Sequence, residues 1–286
     1  MRVAAVTMAY NEREFVPLWV RHYSRHVGAQ NCFLIDHGSD DGSTDAVAGV
    51  NLIRLPRTKF NEPKRCRYLK IFCDALLEYY DAVIYSDIDE VVVPDPALYP
   101  TIADYAASNV RDVSFCVGLN IQQVTALEPP LDLAQPVLHQ RRFAWFSGTM
   151  CKPLLVRRPV DWSAGFHCCE VPLEADALYL FHLRWCDREI ARQRQIRAGM
   201  LDYSEGKAAP YQMQPLEKYM AMFDYFAARP RRGSVRFDAV SRGTVADHVQ
   251  RVKDSRAGRE HAEYRLDLTI VSEELWPIPH RFRDAF

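Results

Sequence analysis

The N-terminal half of the chain alternates short apolar runs with longer amphipathic segments. Four runs have the length and apolar content of β-strands: residues 3–8, 31–36, 51–55 and 82–86. Two segments have apolar residues at the i, i+3, i+4 spacing of a helix: residues 14–27 and 63–80. This alternation predicts βαβ units and an α/β fold built on a mainly parallel sheet flanked by helices.

The pattern changes after the fourth strand. Three further strands and one helix are predicted at residues 113–121, 152–156, 177–182 and 99–108. Beyond residue 186 only helical segments follow, at residues 188–200, 216–228 and 245–252. We therefore expect one α/β domain over residues 1–186 and a helical C-terminal extension over residues 187–286.

Composition and charge limit the classes of partner. The 286 residues are 48% hydrophobic, which is enough for a substantial core. The 36 Lys and Arg nearly balance the 37 Asp and Glu, so no basic field favours nucleic acid or an anionic membrane. No apolar run has the length of a transmembrane segment, and the N-terminus turns polar at Asn11, too early for a signal peptide. The eight cysteines form no CxxC pair, so we expect a reduced, cytoplasmic protein.

An apolar strand at residues 82–86 runs directly into Asp87, Asp89 and Glu90. Two acids spaced by two residues at a strand end can reach one point where the backbone turns. Carboxylate oxygens are the ligands that Mg²⁺ and Mn²⁺ prefer. The alternative is a polar strand end whose acids are only solvated.

Two polar loops follow the first and second predicted strands. Residues 7–12 end the first strand, and residues 36–45 follow the second. Open α/β sheets bind ligands at the carboxyl ends of their strands. Asp36 could accept a hydrogen bond from a base or a ribose hydroxyl, whereas an Asp/Gly/Ser loop can also be a simple turn.

In combination these motifs resemble the family 2 glycosyltransferases with a GT-A fold, in particular the compact bacterial branch. The matching strings are Tyr-Asn-Glu at 10–12, Asp-x-Gly-Ser-Asp-Asp-Gly-Ser-Thr at 36–44 and Ser-Asp-Ile-Asp-Glu at 86–90. The resemblance covers about residues 1–185. It implies a nucleotide-binding half at residues 1–95 and an acceptor half at residues 96–186.

The resemblance also implies roles for individual residues. The nucleotide-sugar would be held by Ala9, Tyr10, Asn11, Glu12, Asp36 and Asp87, and more loosely by Lys64 and Arg67. The cation, Mn²⁺ or Mg²⁺, would be held on the diphosphate by Asp87 and Asp89, with His182 as a third ligand. His167 would lie near the donor sugar as a catalytic residue, and it is the alternative to His182 as the third ligand. Family 2 enzymes commonly take their base from an acidic pair that is missing here, so Glu170 is the first choice, ahead of Glu174, Asp176 and Asp187.

The activity implied is transfer of a sugar from a nucleoside diphosphate-sugar, with a UDP-sugar favoured, to a glycan or lipid-linked acceptor. Inversion at the sugar and a place in polysaccharide biosynthesis follow from the same resemblance. The C-terminal extension would serve acceptor contact or self-association as a homodimer.

Three other interpretations remain open at this stage. Asp87 and Asp89 also match the D-x-D-x-V pattern of phosphohydrolases that form an aspartyl-phosphate, although that motif normally follows the first strand of its domain. The chain could instead be a non-catalytic nucleotide-sugar binding module. A structural zinc site is the third, with ligands from His167, Cys168, Cys169, His182 and Cys186.

Overall fold

The computed structural model describes residues 1–45, 47–204, 212–241, 243–255 and 267–286. Its strands are β1 (Val3–Ala9), β2 (Cys32–Asp36), β3 (Asn51–Arg54), β4 (Ala82–Tyr85), β5 (Glu90–Pro94), β6 (Val113–Gln122), β7 (Phe143–Phe146), β8 (Pro153–Val156), β9 (Ala175–Trp185) and β10 (Trp276–Pro277). Its helices are α1 (Val16–Val27), α2 (Glu62–Leu76), α3 (Ile102–Ser108), α4 (Val137–Gln140), α5 (Arg188–Gly199), α6 (Leu216–Ala227) and α7 (Thr244–Asp254).

Four parallel strands form the N-terminal half of the sheet, in the order β3-β2-β1-β4. Ala9 at the end of β1 lies in register with Asp36 at the end of β2. The carboxyl ends of β1, β2 and β4 therefore reach the same edge of the sheet, where α/β folds bind ligands. The predicted α/β fold, with a mainly parallel N-terminal half of the sheet flanked by helices, is confirmed.

The second half of the sheet is mixed. β8 runs antiparallel to both β4 and β6, and β9 runs parallel to β6 but antiparallel to β5. In these pairings His182 of β9 lies opposite Glu90 on one side and Asn120 on the other. The fold thus places His182 beside the acidic turn that links β4 to β5.

Side chains of the helix α1 form hydrogen bonds with both ends of that acidic turn. Its apolar face buries Trp19 and Tyr23 completely. The Trp19 indole nitrogen donates to Ser86 Oγ at 3.0 Å, and the Tyr23 hydroxyl donates to the Glu90 carbonyl at 3.2 Å. Two core aromatic residues with polar tips therefore fix both ends of the turn.

Several strands have no counterpart among the sequence predictions. β5 follows the acidic cluster directly, and β7 lies between the predicted strands at residues 113–121 and 152–156. β10 pairs with β7, so the prediction of only helical segments beyond residue 186 is wrong, although the described part of the extension does contain the helices α5, α6 and α7. Phe282 and Phe286 also pack into the main hydrophobic core. The boundary at residue 186 stays a prediction, and parts of the extension lie outside the described residues.

All eight cysteines are buried free thiols. Among the residues that the structure describes, no helix combines the length and the apolar character needed to span a bilayer.

Two buried histidines on α1 make stability depend on pH. The rings of His22 and His26 lie 4.4 Å apart, and His22 also contacts the Phe286 ring. Burial lowers the pKa of His26 to about 4 and lowers that of His22 well below its usual value. Both rings are therefore neutral in the folded protein at neutral pH.

We expect the free energy of unfolding to fall as the pH drops below about 6.5, the pKa of an unfolded histidine. The contribution of His26 is complete above that value and is lost as the pH approaches about 4. Between about pH 7 and about pH 5 this loss should be about 2 kcal/mol. Urea unfolding of the wild type and His26→Gln over this range measures it, with the exposed His280→Gln as control. Equal pH dependence in all three proteins would contradict the assignment.

Candidate functional site

The turn between β4 and β5 carries the acidic cluster. Its backbone is closed by a hydrogen bond from the Glu90 N–H to the Asp87 carbonyl at 2.9 Å. The Glu90 side chain also accepts from the Asp87 N–H at 3.2 Å. This closure turns Asp87 and Asp89 out of the strand at the carboxyl edge of the sheet.

Asp87 is held by cationic side chains from two other elements. Its Oδ1 accepts from Arg65 of α2 at 2.8 Å and from the Tyr85 hydroxyl at 2.6 Å. Its Oδ2 accepts from Lys152 Nζ at 3.1 Å, and the same ammonium donates to Glu90 at 2.5 Å. Burial alone would raise the pKa of Asp87, but Arg65 and Lys152 hold it well below its usual range.

Asp89 is held by the C-terminal extension. Its Oδ2 accepts from Arg194 of α5, and His182 Nε2 lies 3.3 Å from the same oxygen. The Arg194 guanidinium also binds both oxygens of Glu12, at 3.1 and 2.8 Å. Burial opposes ionisation of Asp89, but Arg194 and His182 keep its pKa well below the usual range.

His182 is oriented by a buried neighbour. Its Nδ1 lies 2.7 Å from Asn120 Oδ1, and an amide oxygen can only accept. His182 Nδ1 is therefore the donor, which leaves Nε2 facing Asp89. Metal-binding histidines are commonly oriented by such a second hydrogen bond.

The cluster contains more acids than bases. It joins five carboxylates (Glu12, Glu62, Asp87, Asp89 and Glu90) to three cationic side chains (Arg65, Lys152 and Arg194). Among the residues described, the carboxylates of this cluster therefore outnumber its cations by two. Burial raises the pKa of both Glu12 and Glu90, as expected where carboxylates are crowded out of water.

This donor set fits a divalent cation in its chemistry: a carboxylate beside an oriented imidazole, in a cluster with more carboxylates than Lys and Arg side chains. Within the described ranges, however, no three His, Cys, Asp or Glu side chains are grouped as ligands of one ion. Asp89 and His182 are brought together, whereas Asp87 faces Arg65 and Lys152. Asp87, Asp89 and His182 as joint metal ligands therefore stay a prediction, and the alternative Cys/His zinc site does not form among these residues.

The two nucleotide loops of the prediction lie against each other. The Asn11 N–H donates to Ser39 Oγ at 3.1 Å, and its side chain donates to Asp40 at 2.7 Å. Asn11 has a φ of 53°, which is uncommon outside glycine. The Arg57 guanidinium lies 3.5 Å from the centre of the Tyr10 ring.

Asp36 and Ala9 are buried at the ends of β2 and β1, where these loops begin. Both Asp36 oxygens are used within its own loop, by the Ser39 N–H at 2.8 Å and the Thr44 hydroxyl at 2.9 Å. The Ala9 carbonyl accepts from the His37 N–H at 2.9 Å. Asp36 braces the loop in this arrangement, and its predicted contact with a nucleotide stays a prediction.

A pocket of about 220 Å³ opens between the ends of β1, β2 and β3 and the first turns of α2. It is lined by Met8, His37, Leu55, Pro56, Thr58, Lys59, Phe60, Asn61, Lys64, Arg65 and Tyr68. Because Arg65 lines this pocket and also binds Asp87, the pocket adjoins the acidic cluster.

Only one of the two basic residues proposed on α2 lines the pocket. Lys64 lines it, whereas Arg67 is exposed and is not among its lining residues. Arg65, which sequence reasoning missed, holds the central position. The Asn61 side chain caps the helix by accepting from the Lys64 N–H at 3.0 Å. That cap sets the helical phase and could have identified Arg65, because residues 61, 64, 65 and 68 share one face.

The two residues proposed for acid–base work lie in different surroundings. His167 Nδ1 bonds to the Thr149 carbonyl at 2.7 Å, and burial together with the charge of Lys152 lowers its pKa to about 4. Glu170 accepts from Arg158 at 2.6 Å and from the Asp161 N–H at 2.7 Å. In the part of the chain that the structure describes, these bonds do not join Glu170 to the acidic cluster.

No family model and no curated protein matches the chain. Among solved structures, S. aureus TarS 1–349 in complex with UDP-GlcNAc is 12% identical with a TM-score of 0.37, over 79% of this chain and 72% of that one. The mannosyltransferase PcManGT from Pyrobaculum calidifontis, in complex with GDP-Man and Mn²⁺, is 14% identical with a TM-score of 0.29, over 43% and 36%.

A third structure, mannose-1-phosphate geranyltransferase from Thermus thermophilus, is 13% identical with a TM-score of 0.31, over 78% of this chain and 68% of that one. The chain spans 43% of a longer TarS structure. Similarity at this level transfers no residue roles to this chain.

Lys152 should be essential for stability. Its side chain and that of Glu90 are each 2% exposed, so loss of the ammonium leaves a buried carboxylate unpaired. We expect Lys152→Met to lower the free energy of unfolding by about 3–5 kcal/mol, and Lys152→Met/Glu90→Gln to recover a large part of it. Urea unfolding measures both.

Lys70→Met is the matched control, because Lys70 pairs with Asp74 where both side chains are about 30% exposed. That loss should be below about 1 kcal/mol. A cost for Lys152→Met no larger than that of the control would show that the buried pair does not stabilise the turn.

Proposed function

We propose that this protein transfers a sugar from a nucleoside diphosphate-sugar, with a UDP-sugar favoured, to a hydroxyl of a glycan or lipid-linked acceptor. The observation that carries the proposal is the pocket at the carboxyl edge of the parallel strands, which shares Arg65 with the acidic cluster. Such an edge is where α/β sheets bind nucleotides.

The pocket suits the nucleoside part of the donor. Met8, Leu55, Phe60 and Tyr68 supply apolar and aromatic walls for a base. A volume of about 220 Å³ is smaller than the pockets that enclose drug-sized ligands, so the diphosphate would lie outside it. Lys64 at the first turn of α2 would then meet the diphosphate, together with the N-terminal end of the helix dipole.

The acidic cluster would hold a divalent cation, Mn²⁺ or Mg²⁺, through Asp89 and His182, with Asp87 beside them. The excess of carboxylates over Lys and Arg side chains in the cluster and the orientation of His182 by Asn120 support this assignment. The ion would supply positive charge where negative charge grows on the departing nucleoside diphosphate.

The remaining side chains of the site would position the donor and receive the acceptor proton. We propose His167 as the base because of its position: it lies within the electrostatic reach of Lys152 and Asp87, and its imidazole is neutral at neutral pH, although burial and Lys152 make it a weak base. Burial raises the pKa of Glu170, but hydrogen bonds from Arg158 and the Asp161 N–H lower it below its usual value. The lowered pKa makes Glu170 a weaker base. Inversion at the sugar remains part of the proposal through family resemblance alone.

The two competing functions differ in what they require of the site. A phosphohydrolase needs a free carboxylate nucleophile at Asp87, yet both Asp87 oxygens accept hydrogen bonds from Arg65, Tyr85 and Lys152. That geometry disfavours it. A non-catalytic binding module would share the pocket and the cation site, so only an assay of transfer separates it from an enzyme.

We expect UDP or GDP with Mn²⁺ to raise the melting temperature of the wild type by roughly 5 °C at saturating ligand, because a ligand that binds only the native state stabilises it. Asp89→Asn should keep the fold and lose the Mn²⁺-dependent part of this shift. The control is Asp224→Asn, which removes an exposed acid of α6. No shift with any nucleoside diphosphate, with or without Mn²⁺, would refute the nucleotide site.

A further inference from the structure

The helix α5 is attached to the loop after β1 by two arginine–glutamate pairs one helical turn apart. Arg194 binds both oxygens of Glu12 at 3.1 and 2.8 Å. Arg197 binds both oxygens of Glu14 at 2.9 and 2.8 Å. The pairs use the same geometry, but Arg194 has a further role that Arg197 lacks.

The third nitrogen of the Arg194 guanidinium, Nη1, binds Asp89. Nη1 donates to Asp89 Oδ2, the oxygen that His182 Nε2 faces at 3.3 Å. Arg194 therefore lies where a cation shared by Asp89 and His182 would have to bind. A divalent ion bound to this oxygen would have the positive guanidinium beside it, so the two cations repel each other there.

We propose that Arg194 competes with the divalent cation for Asp89, so that α5 sets the affinity of the site for metal. This inference rests on the proposed function, because it assumes that Asp89 and His182 bind a cation. Arg194 is a positioning residue in this account.

If Arg194 lets go of Asp89, it loses only one of its three hydrogen bonds to carboxylates. Two of its three contacts with carboxylates are already made to Glu12, so the guanidinium can stay paired when Nη1 is displaced. The Phe15 ring, 4.9 Å from the guanidinium carbon, supports it from the side. The carboxylates of the cluster outnumber its Lys and Arg side chains, and this favours the double charge of an incoming ion over the single charge of a guanidinium.

Coupling of this kind is reciprocal. If Arg194 lowers the affinity of Asp89 for the ion, then the ion weakens the hold of Arg194 on Asp89 by the same factor. Arg197 and Glu14 would keep α5 on the loop meanwhile. The occupied and metal-free states would thus differ in one contact between the C-terminal extension and the strand edge.

The test is Mn²⁺ binding without donor, measured as free Mn²⁺ by electron paramagnetic resonance. Arg194→Gln should bind Mn²⁺ about tenfold more tightly than the wild type, because a charge-assisted hydrogen bond no longer has to be broken. Arg197→Gln removes the same charge from the same helix without touching Asp89, and it should bind Mn²⁺ as the wild type does.

Arg194→Lys gives a second reading if Arg194→Gln does not fold. It keeps the charge but lacks the fork that spans Glu12 and Asp89, so it should bind Mn²⁺ a few-fold more tightly than the wild type. Circular dichroism and melting without metal establish that each variant is folded.

Titrations at about 0.1 M and about 1 M salt separate displacement from a long-range field. A gain that persists at high salt supports contact competition, whereas a gain that vanishes there overturns it. Unchanged or weaker Mn²⁺ binding by folded Arg194 variants also overturns the inference and leaves the proposed function standing. Absence of Mn²⁺ binding in every protein, wild type included, both without nucleotide and with saturating UDP, refutes the metal site itself and the inference with it.

Discussion

The site depends on ion pairs between buried carboxylates and Lys or Arg side chains at the carboxyl edge of the sheet. Carboxylates from the loop after β1, the start of α2 and the β4–β5 turn converge there. Such a concentration of negative charge is stable only with cations in contact. Lys152 supplies one from beside β8, Arg65 one from α2 and Arg194 one from α5.

This arrangement explains why distant segments are needed to complete one site. The parallel strands bring the polar loops after β1 and β2 and the acidic turn to a single edge, and hydrogen bonds from Trp19 and Tyr23 of α1 fix the turn. The C-terminal extension then closes that edge through Arg194 and joins the sheet through β10. Fold stability and the candidate chemistry therefore depend on the same charged groups.

Much of the architecture was predictable because local periodicity determines it. The strands β1 to β4, the helices α1 and α2 and the acidic turn all follow from apolar spacing. The strands β5 and β7 contain valine and aromatic residues that favour strands and could have been predicted, whereas the two-residue β10 is a strand only through its pairing with β7. Of the basic residues in the site, only the exposed Lys64 and Arg67 were proposed, and the pocket selects Lys64 and adds Arg65.

The sequence by itself determined the alternating α/β pattern, the polar loops after β1 and β2, and the placement of Asp87 and Asp89 at a strand end, since each is local along the chain. Only the tertiary structure decided which charges meet them. Lys152 and Arg194 lie 65 and 105 residues from the carboxylates they bind, Asp87 and Asp89. No local pattern encodes such contacts, because they arise from the packing of separate elements against one edge of the sheet.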